Sequence, residues 1–185
     1  MDFKLPTTIE VGGRTHRIRT DFRDILRILC AYNDPELKDS QKVYICLYIL
    51  YPDFASIRRD DLEEAYRKAV EFIEAGQSHE DAKRYTVMDW EQDAPIIFPA
   101  LNKVAGCETR TAKYIHWWTF IGYYMEISDS VFGHVLALRL KKAKGKPLEK
   151  WENEYWQNNK GICVLHPKLT AEEQAAKDRL NAMLD

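Results

Sequence analysis

Cysteine and histidine side chains are the first candidates for chemistry in this sequence, because thiolate and imidazole are the usual protein ligands of zinc. One pair has the Cys-x-x-His spacing, and three more potential ligands lie elsewhere: Cys163 and His166 form the pair, and Cys107, His116 and His134 are the others. No second closely spaced pair completes a zinc-finger pattern, and the one pair falls in a predicted linker. The sequence therefore favours the absence of a metal site.

Covalent catalysis would need a thiol or hydroxyl beside a base that is oriented by a third group. The sequence has no nucleophile elbow, no His-Glu-x-x-His motif and no glycine-rich phosphate-binding loop. Glu91 and Asp93 lie beside Trp90, a setting that can raise the pKa of a carboxyl group. Capping and solvation of a helix N-terminus explain these carboxylates more simply. We therefore predict a protein that is not an enzyme and that uses no cofactor.

The charges are unevenly distributed along the 185 residues, although the formal net charge is only −2. Residues 60–93 contain eleven acidic and four basic side chains, whereas residues 139–150 contain six basic and one acidic. The basic segment, with Trp151 and Trp156 after it, could neutralise phosphates and stack on bases. The rest of the chain is acidic, so a solvated helix end is favoured, and attraction to an acidic protein region is equally physical. We expect that nucleic acid is not a partner.

The four cysteines, at positions 30, 46, 107 and 163, are not closely paired, which is typical of proteins in a reducing cytoplasm. The N-terminal residues lack the basic-then-apolar pattern of a signal peptide. The longest apolar run is shorter than the roughly 20 residues that span a bilayer. We expect a soluble intracellular protein that does not enter a membrane.

The element predicted to organise the fold is a helix over residues 109–126, which concentrates the large apolar side chains. On a helix, many of them recur at the i, i+3, i+4, i+7 spacing of one face. This stripe contains Tyr114, Trp117, Trp118, Ile121 and Met125, and Phe120 and Tyr124 widen it. We predict a central helix that is covered on most sides. On it, the ring of His116 is expected to hydrogen-bond a backbone carbonyl or a carboxylate, with Asp93 or Glu91 as candidates.

Turn and capping residues predict the other elements. Gly12-Gly13 between two alternating segments predicts a short β-hairpin with a type I′ turn. Capping residues, prolines and glycines delimit the helices. The predicted starts are Thr20 or Asp21, Ser40, Asp60 or Asp61, Met88, Ser128 or Ser130, Pro147 and Thr170, and the predicted ends include Asn33, Tyr51, Gly76, Gly106 and Gly145.

These elements predict a mainly α fold, a compact helical domain of about six to eight helices around the central aromatic helix, with a short N-terminal β-hairpin. The helix after Ser40, which carries Tyr44 and Tyr48, is expected to be mostly buried. Residues 1–145 are interpreted as the core domain, and residues 146–185 as a C-terminal helical extension packed on it or tethered to it. Residues 161–167 are expected to be a linker within that extension.

Several motifs in the first three quarters of the chain resemble one family of bacteriophage proteins. They are Leu5-Pro6-x-x-Ile9-x-Val11-x-Gly13, Thr20-Asp21-Phe22-Arg23, Trp90-Glu91-Gln92-Asp93, His116-Trp117-Trp118-x-Phe120 and Leu138-Arg139. The family is encoded in the tail-gene cluster of long-tailed phages and prophages of Gram-positive hosts, between the major tail protein and the tape measure protein. The resemblance covers roughly residues 3–142. It marks a structural motif made of Trp90, Asp93, His116, Trp117, Trp118, Phe120 and Arg139.

The resemblance implies a tail assembly chaperone without catalytic activity. Such a protein would bind the tape measure protein, the tail tube protein or both, and it would pair with an upstream tail assembly chaperone, in some phages as a frameshift fusion. A second copy of the chain is a further candidate partner. The implied location is the cytoplasm of the bacterial host, with absence from the mature virion; the alternative is a minor structural component of the tail that stays in the virion. Aromatic residues expected to be exposed for partner binding are Tyr51, Phe54, Trp151 and Trp156.

Overall fold

A computed structural model describes residues 4–75 and 85–183 of the chain. The described elements are two strands, nine helices and two 3₁₀ turns, so the predicted mainly α fold is confirmed. The strands are β1 (Thr8–Val11) and β2 (Arg14–Arg17); the helices are α1 (Phe22–Tyr32), α2 (Asp39–Leu50), α3 (Leu62–Ile73), α4 (Ala94–Ala105), α5 (Trp117–Glu126), α6 (Val131–Ala143), α7 (Lys150–Asn158), α8 (Lys160–Cys163) and α9 (Ala171–Ala182). The 3₁₀ turns are Phe54–Ser56 and Arg59–Asp61.

The N-terminal hairpin forms as predicted. Strands β1 and β2 pair antiparallel, with Val11 opposite Arg14 at the turn. Gly12 and Gly13 have φ angles of 56° and 71°, the left-handed region that a type I′ turn requires at both central positions. The hairpin leans on α3, where the Lys68 ammonium donates to the Glu10 carbonyl at 2.5 Å. This packing supplies the support that an isolated two-stranded hairpin lacks in water.

The core lies where α1 and α2 meet α3, α4 and α5. Phe22 of α1 stacks on Phe120 of α5 with their ring centroids 4.4 Å apart, and both side chains are buried. Large aromatic rings of this kind each remove on the order of 150–250 Å² from water. Other side chains buried in the same cluster include Val11, Ile25, Ile28, Leu47, Leu50, Tyr51, Ile97, Leu101 and Trp117.

The predicted start of the central helix is wrong. Helix α5 begins at Trp117 rather than near Thr109, because the segment before it pairs with the start of α1. Phe22 N–H donates to the Ile115 carbonyl at 3.0 Å, and Trp117 N–H donates to the Thr20 carbonyl at 2.7 Å. The Arg23 guanidinium also binds the carbonyls of Ala112 and Lys113. These long-range bonds hold residues 112–116 outside a helix.

The exposure of the aromatic stripe is therefore different from the prediction. Tyr114 and Met125 were expected to face the core, but they are 53% and 49% exposed. Trp117 and Phe120 are the side chains of α5 that are fully buried, and Trp118 is half-buried. Helix α5 has an exposed stripe at Gly122, Met125 and Glu126, and its other seven residues are buried or half-buried.

Most predicted helix boundaries are close to those in the structure. Asp21 and Ser130 cap α1 and α6, α4 ends at Gly106 with φ 69°, and Thr170 with Glu173 forms the capping box of α9. Helix α2 begins at Asp39, one residue before the predicted Ser40. The expected linker at 161–167 is partly wrong, because Cys163 is buried at the end of the one-turn helix α8. The predicted end at Gly76 lies outside the described residues.

The segment after residue 145 contacts the preceding helices. The Lys141 ammonium of α6 donates to the Glu152 carboxylate of α7 at 2.5 Å, and α8 packs against α6. Every residue from Ala171 to Met183 is exposed. Among the described helices, none is long and apolar enough to cross a bilayer.

Candidate interaction surface

Asp93 and Arg139, two residues of the expected structural motif, form a buried ion pair. Arg139 Nη1 and Nη2 each donate to one oxygen of the Asp93 carboxylate at 2.8 Å, and both side chains are at most 4% exposed. The other guanidinium N–H groups donate to the carbonyls of Val87, Ile162 and Cys163 at 2.7–3.0 Å. Because guanidinium has five N–H donors, all of them are used. Arg139 thus joins α6 to the N-terminus of α4 and to α8.

His116 is the N-cap of α5. Its Nδ1 accepts from the Trp118 N–H at 3.0 Å, so its Nε2 carries the proton and donates to the Pro6 carbonyl at 2.9 Å. A backbone carbonyl is thus its partner, as one predicted alternative had it. The other alternative, a carboxylate with Asp93 or Glu91 as candidates, is wrong, because these carboxylates bind Arg139 and Lys168 respectively. His116 holds the N-terminal segment against the start of α5.

The tryptophans of the motif are anchored through their indole N–H groups. Trp117 Nε1 donates to the Ile73 carbonyl at 2.8 Å, and Trp118 Nε1 donates to the Phe72 carbonyl at 2.9 Å. Both carbonyls belong to the last turn of α3, so the two indoles tie α5 to the C-terminal end of that helix. Trp90 packs against Phe120 with ring centroids 6.2 Å apart. These contacts assign the motif residues to the architecture of the protein rather than to an exposed site.

Two titratable groups, the buried Cys46 and the half-buried Tyr124, have raised pKa values. Burial raises the pKa of the Cys46 thiol to about 11, and burial together with the Asp93 charge raises the pKa of Tyr124 to about 12. Both groups therefore stay protonated and uncharged near neutral pH. Across residues 4–75 and 85–183, no three His, Cys, Asp or Glu side chains lie close enough together to hold a metal ion.

The basic segment 139–150 is less basic at the surface than its composition indicated. Arg139 is buried and neutralised by Asp93, and Lys141 is paired with Glu152. Lys142 Nζ lies 4.4 Å from the centroid of the half-buried Trp156 ring, a cation–π contact. Part of the predicted positive charge is therefore neutralised or held by contacts within the protein and is not free to bind a partner.

An exposed aromatic cluster lies on α2 and the turn after it. Tyr44 and Tyr48 are 55% and 58% exposed, and their rings stack with centroids 5.9 Å apart. Phe54, half-buried, meets both rings edge-on at 5.6 and 6.5 Å. Residues i and i+4 lie on one face of a helix, which explains why the two tyrosines meet. We call Tyr44, Tyr48 and Phe54 the aromatic surface.

Sequence reasoning placed only Phe54 of this cluster in a partner-binding set. It expected α2 to be mostly buried, which is wrong for Tyr44 and Tyr48. Gln41, three positions before Tyr44 on the same helical face, is polar and exposed. Asp39 and Ser40 start the buried faces of α2 in the same way, so the sequence contains no local signal for the exposure of the tyrosines.

Tyr51 was expected to be exposed, and this prediction is wrong. Its side chain is fully buried, and its hydroxyl donates to the Ala65 carbonyl at 2.9 Å. Tyr51 is the C-cap of α2, where the chain turns toward the core, so its ring packs beneath the helix end. Trp151 is exposed and stacks on His134 with ring centroids 5.5 Å apart. The structure therefore separates the four expected partner residues into one buried, two half-buried and one exposed.

The comparison with protein families gives a match over most of the chain. The family described as Bacteriophage Gp15 protein matches residues 1–163. The chain belongs to the Gp15 family. The comparisons with curated proteins and with solved structures gave no match. The Gp15 range contains the aromatic surface, the Asp93–Arg139 pair and α8, and it ends at Cys163, whose carbonyl is bound by Arg139. The resemblance to a bacteriophage family is confirmed by this match.

Proposed function

We propose that this protein is a phage tail assembly chaperone that binds the tape measure protein, the tail tube protein or both, without catalysing a reaction. Three features support the proposal: membership of the Gp15 family, the resemblance of its motifs to tail-cluster proteins, and the exposed aromatic surface. The aromatic surface carries the proposal, because exposed large apolar groups in a cluster are typical of binding sites.

The partner that fits this surface is an amphipathic helix. Tape measure proteins are long and rich in helices, and they must stay soluble until tube subunits assemble around them. Tyr44, Tyr48 and Phe54 present rings in two orientations, with two stacked faces and one edge-on contact. Tyrosine supplies a large contact area at a low cost in conformational entropy, and its hydroxyl tolerates water. Several copies along one tape measure helix would raise the effective concentration of each weak contact.

Co-expression with the cognate tape measure protein tests the proposal directly. We expect that the tape measure protein becomes soluble and co-purifies with this chain, and that it is insoluble when expressed alone. The chaperone proposal would be contradicted if the tape measure protein is equally insoluble with and without this chain and if pull-downs at low salt recover it only at background level. The same preparation, assayed with the tail tube protein, determines whether that protein is a second partner.

A minor structural component of the tail is the second candidate function. Phage family membership supports both functions equally. Mass spectrometry of purified virions distinguishes them, because a chaperone that acts in the host cytoplasm is expected to be absent from the particle. A stoichiometric signal from this chain in mature virions would favour the structural component. Pull-downs with the upstream tail gene product would test a partnership between two chaperones.

A further inference from the structure

The segment between α8 and α9 lies along the Gp15 domain, by which we mean the family range of residues 1–163. Its contacts resemble those of an extended peptide bound at a protein surface. The Gln92 side-chain amide donates to the Val164 carbonyl at 2.7 Å, and its oxygen accepts from the His166 N–H at 2.9 Å. Gln92 thus bonds a carbonyl and the N–H two residues later, as a neighbouring strand would. Val164 and Thr170, at the two ends of the segment, have extended backbone angles.

Carboxylates of the domain also bind the Lys168 ammonium and the Ala171 N–H, which follow in the segment. The Lys168 ammonium pairs with Glu91 and lies 3.4 Å from Asp89 Oδ2. Burial alone would lower the pKa of Lys168, but the hydrogen bond and charges of these two carboxylates raise it above its ordinary value. The Ala171 N–H donates to the Glu36 carboxylate. Three acidic side chains, from two separate parts of the domain, therefore hold the four residues from Lys168 to Ala171.

A cavity lies between the segment and the domain, and Leu169 forms part of its wall. Leu169 and Lys168 line a volume of about 440 Å³ together with Cys30, Ala31, Asp34, Pro35, Leu37 and Glu91. Lys168 is the one cation among these lining residues, whereas Asp34 and Glu91 are acidic. The wall contributed by the domain is therefore apolar and negatively charged, which is complementary to a lysine followed by leucine.

We propose that Glu36, Asp89, Glu91 and Gln92 form a peptide-binding groove that recognises an extended, lysine-containing segment of a partner protein, and that residues 164–171 fill this groove in the free chain. All four groove residues lie within the Gp15 range, whereas residues 164–171 lie after it. The groove is separate from the aromatic surface, and this inference does not depend on the identity of the phage partner.

The segment is attached weakly enough for a competing peptide to displace it. His166, Pro167 and Lys168 are exposed, and α9 after them has no buried residue. The segment is held by individually weak hydrogen bonds and ion pairs, and its apolar residues Val164, Leu165 and Leu169 are only half-buried. The buried core contains no residue after Cys163 among those described. Release of residues 164–171 is therefore expected to leave the fold intact.

The experiment uses the full chain and a labelled synthetic peptide of residues 164–171. Lys168→Glu places a carboxylate against Asp89 and Glu91, so it should release the segment and open the groove. We expect faster amide hydrogen exchange in residues 164–171 of this variant, with an unchanged melting temperature. Fluorescence anisotropy should then show that the peptide binds the variant at least about tenfold more tightly than it binds the parent chain. Lys177→Ala, an exposed lysine of α9, is the matched control and should behave like the parent.

Two further measurements test whether the groove recognises the lysine of the peptide and whether Gln92 is needed for binding. A peptide with glutamate in place of its lysine should bind Lys168→Glu at least about tenfold more weakly than the native peptide, because the ion pairs become repulsive. Adding Gln92→Ala to Lys168→Glu should remove binding of the native peptide as well. Equal binding of both peptides, no binding to the opened variant, or equal binding to the parent and the variant would overturn the proposal and leave residues 164–171 as a structural extension only.

Discussion

Asp93 and Arg139 are 46 positions apart in the sequence and form a bidentate ion pair in the interior of the protein. The carboxylate sits at the N-cap of α4, and the guanidinium comes from α6. Arg139 also binds three backbone carbonyls, so one side chain connects four parts of the chain. Two charged residues of the motif therefore have a structural role in the core, where each neutralises the other.

Removal of Arg139 is expected to destabilise the protein strongly. Arg139→Met leaves the buried Asp93 carboxylate without its cation, with the Asp89 N–H as a remaining donor. It also removes the guanidinium from three carbonyls, so the free energy of unfolding should fall by about 3–5 kcal/mol. Urea unfolding followed by circular dichroism measures this loss. Arg27→Met, which breaks the exposed pair with Asp24, is the control and should change stability by less than about 1 kcal/mol. Equal midpoints for the two variants would contradict a structural role of the buried pair.

The two adjacent tryptophans of α5 should differ in their contribution to stability. Trp117 is 1% exposed, so Trp117→Ala should cost about 3–5 kcal/mol through a cavity and the loss of the bond to the Ile73 carbonyl. Trp118 is half-buried, so Trp118→Ala should cost clearly less. Chemical denaturation of both variants in parallel makes the comparison. A larger loss for Trp118→Ala would mean that α5 is rotated relative to the described packing.

The aromatic surface should be needed for binding but not for folding. Tyr44→Ala with Tyr48→Ala should leave the melting temperature nearly unchanged, because both rings are more than half exposed. The amount of co-purified tape measure protein should fall about tenfold or more, as expected for aromatic anchors. Tyr51→Phe is the matched control: it removes the bond to the Ala65 carbonyl, so it should lower stability by about 1 kcal/mol and retain binding. Full binding by the double variant would place the partner site elsewhere.

Acid should weaken the protein partly through Asp21. Burial alone would raise the pKa of this carboxyl, but hydrogen bonds from the Arg23 side chain and backbone lower it below its ordinary value of 3.8. Its contribution is therefore present above pH 3.8 and is lost as the pH falls through the lower pKa of the folded state. Asp21→Asn keeps a capping oxygen for α1 but cannot titrate. Unfolding titrations at several pH values should show a smaller acid-induced loss of stability in Asp21→Asn than in the parent; parallel curves would refute the assignment.

The two glycines of the hairpin turn should respond differently to alanine. Both have positive φ, so each substitution should cost on the order of 1–2 kcal/mol in backbone strain. A Cβ at Gly12 would lie 2.4 Å from the Asp61 carboxylate, whereas a Cβ at Gly13 would meet no atom within 4 Å. Gly12→Ala should therefore lower the melting temperature more than Gly13→Ala. Identical melting curves would show that Asp61 moves aside freely.

The sequence by itself determined the features that depend on a few neighbouring residues. The Gly12-Gly13 turn, the cap at Thr170 and the helix end at Gly106 were predicted, and the caps at Asp21 and Ser130 were each predicted as one of two alternatives. Each of them is decided within about four positions, because a cap or a turn bonds its own nearby backbone. The motif residues were also recognisable, since their pattern resembles a bacteriophage family, and the family match bears out that coarser identification.

Only the tertiary structure decided how those residues are partnered and which of them face water. Helix α5 starts at Trp117 because Thr20 and Phe22, nearly a hundred positions earlier, bond the backbone beside it. Asp93 pairs with Arg139 rather than with His116, and Tyr51 is buried while Tyr44 and Tyr48 are exposed. Helical periodicity shows which side chains share a face, but the packing of distant helices determines which face is covered. For that physical reason, the aromatic surface and the groove around Gln92 emerge only once the chain is folded.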